Sequence, residues 1–311
     1  RFCNSGTEAN LMALSTARAV TGRDKIIAFN GGYHGGVIKF LGGVCPLNMP
    51  FDFVLADYND IDGTAAVIDG VGDELACVIV EPILGAGGNI QGNRKFLHML
   101  RDKTTELGAL LIFDEVKTAR LGPAGIQGML GLHADLTTLG KFIGGGLPTG
   151  AFGGSAELMA LFNPRNKGAL AHAGTFNNNV CTMAAGRAAM GEVYTAQHAA
   201  EFLDRSEAFR LSLNDMFAAK AVPMYANGLG SMIAIHFNSK PTKRPSDITA
   251  GCQSLRPLLH MELLLDGVLL CSRGDLFVSL PMEEAHLSKA RLALEKFADR
   301  YKPLIEQVLA A

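Results

Sequence analysis

No two cysteines in this chain stand close enough to suggest a site. The six are scattered singly (Cys3, Cys45, Cys77, Cys181, Cys252 and Cys271), with no C-x-x-C pair. No histidine cluster lies near any of them, so the spacings of a zinc site and of a disulfide framework are both excluded, no metal is expected, and a reducing cytosol is the natural setting. Charge of one sign is lacking too. The 28 Lys and Arg against 30 Asp and Glu leave a formal net charge of -2, which gives no electrostatic reason to expect nucleic acid or an anionic membrane surface. No apolar run approaches the roughly 18 residues of a membrane span, no internal repeat or low-complexity tract is found, and no signal peptide is visible, although a segment before Arg1 could carry a targeting sequence. The chain opens on Arg1 rather than methionine, already inside a motif, and reads as a piece of a longer protein.

What is present is an alternation. Lys25-Ile26-Ile27-Ala28-Phe29, Cys77-Val78-Ile79-Val80 and Leu110-Leu111-Ile112-Phe113 are short apolar runs of buried-strand type, separated by helical patterns over 58–71 and Phe96 to Leu107. Strand and helix at this pitch imply a parallel sheet covered on both faces. With 311 residues and 48% hydrophobic content, one large domain plus a smaller one fits the size. Beyond about Tyr194 the chain becomes more charged and helical. It then gives strands at 232–237, 268–271 and 276–280, a long helix near 251–265 and a final helix. This divides it into an α/β domain of residues 1–193 and an α+β domain of residues 194–311. Gly228-Leu229-Gly230 is half of a nucleotide fingerprint with the rest absent, and reads as a turn before a strand.

The strand ends carry the chemistry-bearing residues. The Leu110 run closes on Asp114 and Glu115, and a later segment, Leu136-Thr137-Thr138-Leu139-Gly140, runs into Lys141 and the triple glycine Gly144-Gly145-Gly146. Ligands of open α/β sheets bind at such strand ends. A lysine and an aspartate there are the two groups that pyridoxal phosphate needs: an amine to hold its aldehyde as a Schiff base, and an anion to keep its ring nitrogen protonated. A helix-capping Asp114 and a solvated Lys141 fit the same pattern. Ser5-Gly6-Thr7 opens a helix and suits either a phosphate or an ordinary N-cap. Gly31-Gly32-Tyr33-His34-Gly35-Gly36 presents an aromatic ring and an imidazole on a backbone that something can approach closely. The ring suits a planar cofactor, while the imidazole suits a catalytic or a structural hydrogen bond. Glu81, at the end of the Cys77 strand, orients a site or serves a local network.

Taken in order, Asn4-Ser5-Gly6-Thr7-Glu8-Ala9, Gly32-Tyr33-His34-Gly35, Glu81-Pro82, Asp114-Glu115-Val116, Thr138-Leu139-Gly140-Lys141, Gly144-Gly145-Gly146 and Gly174-Thr175 resemble the class III aminotransferases of fold type I over nearly the whole chain. Ala171 to Asn179 and Ser272-Arg273-Gly274 bring it nearest to the branch of aromatic β-amino-acid aminotransferases and glutamate-1-semialdehyde 2,1-aminomutases. The resemblance implies pyridoxal 5'-phosphate bound covalently at Lys141, with Asp114 on the pyridinium nitrogen. Ser5, Gly6 and Thr7 are then on the phosphate, Tyr33 and Val116 on the two ring faces, and His34 and Glu81 close by. Thr175 reaches the phosphate of a partner subunit, so the unit is a cytoplasmic homodimer with shared sites.

Arg273 separates the two nearest activities. An aminotransferase must bind the carboxylate of donor and acceptor, which a guanidinium does bidentately. Relatives of the aminomutase type carry small residues there and a gating glutamate, neither evident in Ser272-Arg273-Gly274-Asp275. The expected activity is net amino transfer from a β-amino acid to 2-oxoglutarate or pyruvate by a ping-pong route. An intramolecular aminomutase and a non-catalytic truncated homologue are the alternatives. The family's N-terminal segment, which lines the substrate pocket, is not part of the sequence.

Overall fold

The computed structural model describes residues 1–310. In chain order the strands are β1 (Phe2–Cys3), β2 (Lys25–Phe29), β3 (Asp52–Ala56), β4 (Leu75–Val80), β5 (Ile83–Leu84), β6 (Ile90–Gln91), β7 (Leu110–Asp114), β8 (Leu136–Gly140), β9 (Gly150–Gly154), β10 (Tyr225–Leu229), β11 (Met232–His236) and β12 (Asp275–Phe277). The α-helices are α1 (Gly6–Thr21), α2 (Ile61–Val71), α3 (Arg94–Glu106), α4 (Gly125–Leu130), α5 (Ala156–Ala160), α6 (Val180–Ala188), α7 (Ala196–Ala219), α8 (Ala250–Leu265) and α9 (Glu284–Ala310). None of the described helices is long and apolar enough to cross a membrane. Two compact units result, one of Arg1–Pro82 with Gly92–Ala199, the other of Ile83–Gln91 with Ala200–Ala311.

The first unit is built on a seven-stranded sheet in the order β1-β9-β8-β7-β4-β2-β3. Strands β8, β7, β4, β2 and β3 run parallel, and β9 is antiparallel to both of its neighbours. This is the mostly parallel α/β sheet expected of fold type I. Every residue of β4 is buried, as a strand covered on both faces requires. Alternation along β2 sorts the two layers. Ile26 and Ala28 join Ala13, Leu14 and Ala17 of α1 in a fully buried cluster with Cys77, Ile79, Ile112 and Leu136. Phe29 points the other way and meets Tyr58 and Phe96 edge-on, with ring centroids 5.9 and 5.4 Å away. At about 25 cal/mol per Å² of apolar surface, these two layers supply most of the force that fixes the strand ends.

In the second unit, β10, β11 and β12 form an antiparallel sheet. Two expectations need correction here. The strand expected at 268–271 does not form. Those residues lead into a tight turn in which the Gly274 amide donates to Cys271 O at 2.8 Å and the Cys271 amide donates to Asp275 O at 2.9 Å. Conversely, β10 forms where no strand is expected and takes in Gly228 and Leu229, read as part of a turn before a strand, because they pair with β11 from Tyr225↔His236 to Leu229↔Met232; the turn itself falls at Gly230, just before β11. The unit also takes Ile83–Gln91 from the middle of the chain, so a single boundary between residues 193 and 194 does not describe the division. Polar side chains hold that excursion: Asn227 Nδ2 donates to Asn89 O at 3.2 Å, and Asn89 Nδ2 donates to Asp275 Oδ1 at 3.1 Å.

His236 belongs to the same arrangement. It is completely buried on β11, with Nε2 2.8 Å from Gly88 O and Nδ1 3.3 Å from Arg256 Nη2. Burial, reinforced by the Arg256 charge and opposed by the bond to Gly88, pushes the imidazole from its ordinary 6.5 down to about 4. A depressed histidine makes the unfolded chain the better proton acceptor. Stability is therefore full above about pH 6.5 and is lost as pH falls toward 4. The loss from this group is on the order of 3 kcal/mol at most. His236→Gln retains a donor for Gly88 and an acceptor for Arg256. Urea unfolding between pH 7 and 4.5 should show a shallower acid loss in that variant than in wild type, and equal slopes would refute the assignment.

Candidate active site

Asp114 ends β7 with its side chain 4% exposed. Its Oδ2 accepts from Asn10 Nδ2 at 2.8 Å and lies 2.8 Å from His34 Nδ1, while Oδ1 accepts from the Val116 amide at 3.0 Å. Asn10 is held in turn by Thr138 Oγ1, which donates to its Oδ1 at 2.6 Å, and by its own second N–H, which reaches His34 O at 2.9 Å. Helix α1, the loop after β2, and strands β7 and β8 thus meet at one carboxylate. His34, read from sequence as a cofactor contact or a structural hydrogen-bonder, is buried to 2%. Its Nδ1 is engaged by Asp114, which makes it a positioning group.

Lys141 is exposed at the carboxyl end of β8, with its backbone at φ 53°, in the left-handed region that a lysine rarely adopts. Asp114 pairs in register with Thr138, so Lys141, three residues further on, lies about 10 Å beyond it at roughly 3.3 Å per residue. Asp114 and the Lys141 backbone therefore lie toward the same edge of the sheet, the first at the end of β7 and the second just beyond the end of the adjacent parallel strand β8.

The turn that opens α1 packs against the residue before Lys141. A Cβ placed on Gly140 would stand 3.4 Å from the Gly6 backbone and 3.3 Å from Val116 Cγ1, and one on Gly6 would stand 2.8 Å from that same methyl. Gly35, at φ 134°, closes the other side, where a Cβ would collide with the Thr7 side chain. Helix start, strand end and lysine are drawn together because three glycines omit a side chain. Ser5 caps α1 by accepting from the Glu8 amide at 3.1 Å, and Glu8 Oε2 accepts from the Asn4 amide at 2.7 Å. The first helical bond is Ala9 N to Ser5 O at 3.0 Å. Among the described residues the Gly6 and Thr7 amides have no acceptor, and both open a helix of 16 residues. Such amides suit an anion.

Nearby, the Tyr33 amide donates to Glu81 Oε1 at 2.9 Å, which fixes the glycine loop while the Tyr33 side chain stays on the surface. Thr175 is exposed, in a loop tied to the helix start by Asn4 Nδ2 donating to Asn177 Oδ1 at 2.9 Å. Arg273 belongs to the second unit. Glu115, next in sequence to Asp114, is engaged elsewhere. It accepts from Thr118 Oγ1 at 2.8 Å and from the amides of Ile126 and Gln127 at 2.9 and 3.1 Å, and so holds the start of α4. It also borders a separate cavity of about 410 Å³ with Gln127, Phe142 and Tyr194, which includes neither Asp114 nor Lys141.

The profile of the family Aminotransferase class-III matches residues 1–297. The chain belongs to the class-III aminotransferases. It is 47% identical over 305 residues to the beta-phenylalanine transaminase of Variovorax paradoxus, covering 98% of this chain and 70% of that one. The crystal structure of the Variovorax paradoxus beta-phenylalanine aminotransferase superposes with a TM-score of 0.95. A transaminase solved with PLP bound has a TM-score of 0.84 at 31% identity, covering all of this chain and 73% of that one. The glutamate-1-semialdehyde 2,1-aminomutase of Pyrobaculum calidifontis is 38% identical over 285 residues, 87% of this chain and 64% of that enzyme.

As a class-III aminotransferase the protein is a transaminase dependent on pyridoxal 5'-phosphate, and the site fits that cofactor. Two unbonded helix-start amides suit its phosphate. Asp114, with one hydrogen bond on Oδ1 and no lysine or arginine among its partners, suits a ring N–H. The residues that sequence reading missed are Asn10 and Thr138. Their signal is a polar residue on an apolar stripe: Asn10 shares the buried face of α1 with Ala13, Leu14 and Ala17, and Thr138 that of β8 with Leu136. Removing Asn10 leaves Thr138 and one Asp114 oxygen short of partners, at a cost of about 1–3 kcal/mol. Asn10→Ala should lower the urea midpoint accordingly and weaken cofactor binding in an absorbance titration. Wild-type values of both would show that the network does not hold Asp114.

Proposed function

We propose that the enzyme moves an amino group from a β-amino acid to a keto acid such as 2-oxoglutarate or pyruvate, in two half-reactions at one site. The 47% identity over 305 residues to a beta-phenylalanine transaminase carries this reading of the donor. Arg273 supports it, since a half-exposed guanidinium suits a substrate carboxylate. When bound, pyridoxal phosphate supplies an aldehyde for the amine and a protonated ring that withdraws electrons.

The roles of the chain's own residues follow. Lys141 would hold the aldehyde through its Nζ, and the same amine, when free, would carry the proton of the amine-bearing carbon. Asp114 would accept the hydrogen bond of the ring nitrogen and hold the proton there, and His34 with Asn10 keeps the carboxylate in place for it. The Gly6 and Thr7 amides, with the hydroxyls of Ser5 and Thr7, bind the phosphate. Tyr33 and Val116 cover the ring faces, and Glu81 steadies Tyr33 through its amide. Thr175 serves the phosphate of a partner subunit in a homodimer. The exposure of its neighbours Phe176 and Val180, 67% and 79%, supports a surface covered by a second copy. Six free thiols support a reducing, cytoplasmic setting.

The aminomutase identity favours a second reading, intramolecular transfer. Kinetics separate the two. Amino transfer gives parallel double-reciprocal lines for β-phenylalanine against 2-oxoglutarate or pyruvate, and a keto acid returns the pyridoxamine form to the aldehyde. Failure of every keto acid tried would favour the isomerase. Borohydride reduction of the holoenzyme followed by peptide mapping should place the cofactor on Lys141, and recovery of that peptide unmodified would remove the basis of both readings.

A further inference from the structure

Arg273 is not a free cation. Its Nε and Nη2 donate to Asp275 Oδ2 at 3.0 and 2.7 Å. The two side chains differ sharply in exposure, 53% for Arg273 against 2% for Asp275. The other oxygen, Oδ1, accepts from Asn89 Nδ2 at 3.1 Å. Asn89 is itself completely buried, so the carboxylate is fixed from behind while the guanidinium looks outward. Gly274 makes the pairing possible. At φ 95° it lies so close to β11 that a Cβ would stand 2.7 Å from Ile235 O, and its own carbonyl accepts the Ile235 amide at 2.9 Å. The backbone on both sides of the pair is therefore pinned.

A guanidinium has two edges that can grip a carboxylate. Asp275 occupies the Nε–Nη2 edge and leaves the Nη1 end. A substrate carboxylate arriving there meets a pair whose formal charge sums to zero.

We propose that Asp275 is a specificity-determining residue that attenuates Arg273, lowering the enzyme's preference for amines that carry a carboxylate over those that do not. The inference rests on the reading of Arg273 as the carboxylate-binding residue. Two effects of Asp275 oppose each other. It orders a long side chain, which is worth roughly threefold to tenfold in affinity. It also repels a second carboxylate on the same guanidinium; for like charges about 6 Å apart at an effective dielectric of about 20, that amounts to roughly a hundredfold. Exposure of Arg273 screens part of the repulsion, and the balance left is about tenfold in the direction of attenuation.

The test compares β-phenylalanine with 1-phenylethylamine, which differs from it by lacking the carboxylate arm, on the holoenzyme. Asp275→Asn, and Asp275→Ser as a second uncharged variant, should raise the ratio of kcat/KM for β-phenylalanine over 1-phenylethylamine about tenfold. The change should come through the KM of β-phenylalanine, with that of 1-phenylethylamine within about twofold. Calorimetry with 3-phenylpropionate, an unreactive carboxylate, should show about tenfold tighter binding. Asp275→Glu keeps the charge and should hold the wild-type ratio. A folded uncharged variant with an unchanged or lower ratio overturns the proposal, as does Asp275→Glu raising the ratio like Asp275→Asn. Arg273→Gln tests the premise: it should bring the ratio down, and a wild-type ratio there would mean that Arg273 does not bind the carboxylate, which overturns the proposal at its root.

Discussion

A carboxylate buried at the end of a strand has to be matched by donors, and Asp114 draws them from parts of the chain far apart in sequence: Asn10 on α1, His34 in the glycine loop, and the Val116 amide just beyond β7. Leaving such a group unmatched costs several kcal/mol. The demand therefore sets a positional constraint on the first unit beyond what its apolar layers impose. Helix α1 must cross the sheet at a depth that brings Asn10 to the carboxylate, and the same crossing delivers Gly6 and Thr7 to the edge where β8 ends. The order of the site and the order of the fold have one cause.

Steric omission completes what the hydrogen bonds begin. Gly6, Gly35 and Gly140 each stand where a Cβ would meet Val116 or Thr7, so even alanine at these positions forces a stiff neighbour aside. Between Gly140 and the three-residue glycine run, the chain then accepts a lysine at positive φ. That conformation costs of order 1 kcal/mol or more for a residue with a Cβ. It persists because the flanking turn and the pairing of Gly140 with Gly150 determine the path on both sides. A site that must present an amine at a strand end gains rigidity from this arrangement.

How much of this could be read from the sequence follows from which forces are local. Buried strands announce themselves as continuous apolar runs, and β2, β4 and β7 do so. Ser-Gly-Thr after β1, Tyr-His after β2 and Asp-Glu at the end of β7 each fit an ordinary cap or hydrogen bond as well as a ligand, and it is their order along the chain that narrows the reading. What stays hidden is set by partners distant in sequence. Asn10 looks like one more polar residue in a helix until Thr138 and Asp114 come within 2.8 Å of it. Strand β10 takes in Gly228 and Leu229, which look like the start of a turn, and exists through its pairing with β11. Residues Ile83–Gln91 lie between two strands of the first sheet in sequence, yet they join the second unit through Asn89 and Gly88. No periodicity encodes that, because the contacts run to side chains about 140 to 190 residues away.

Three buried acids show why residue type at a strand end is insufficient to assign chemistry. Glu115 faces a hydroxyl and two amides at the start of α4, where the helix supplies partial positive charge. Asp275 has a full cation, Arg273, and an amide. Asp114 has an amide, a backbone N–H and an imidazole, with neither a helix start nor a lysine or arginine against it. Among the described residues Glu115 and Asp114 both lack a permanent counter-ion, and of the two it is Asp114 that is held away from a helix start. In a low-dielectric setting, such a group gains the most from a cationic ring N–H arriving from outside. The asymmetry also runs the other way. Because Asp275 is already paired, an external charge is felt at its partner Arg273, and only as a difference. The same residue type, buried to nearly the same degree, thus stands among different partners in the two places, and what each can offer a ligand depends on what the surrounding chain has left unpaired.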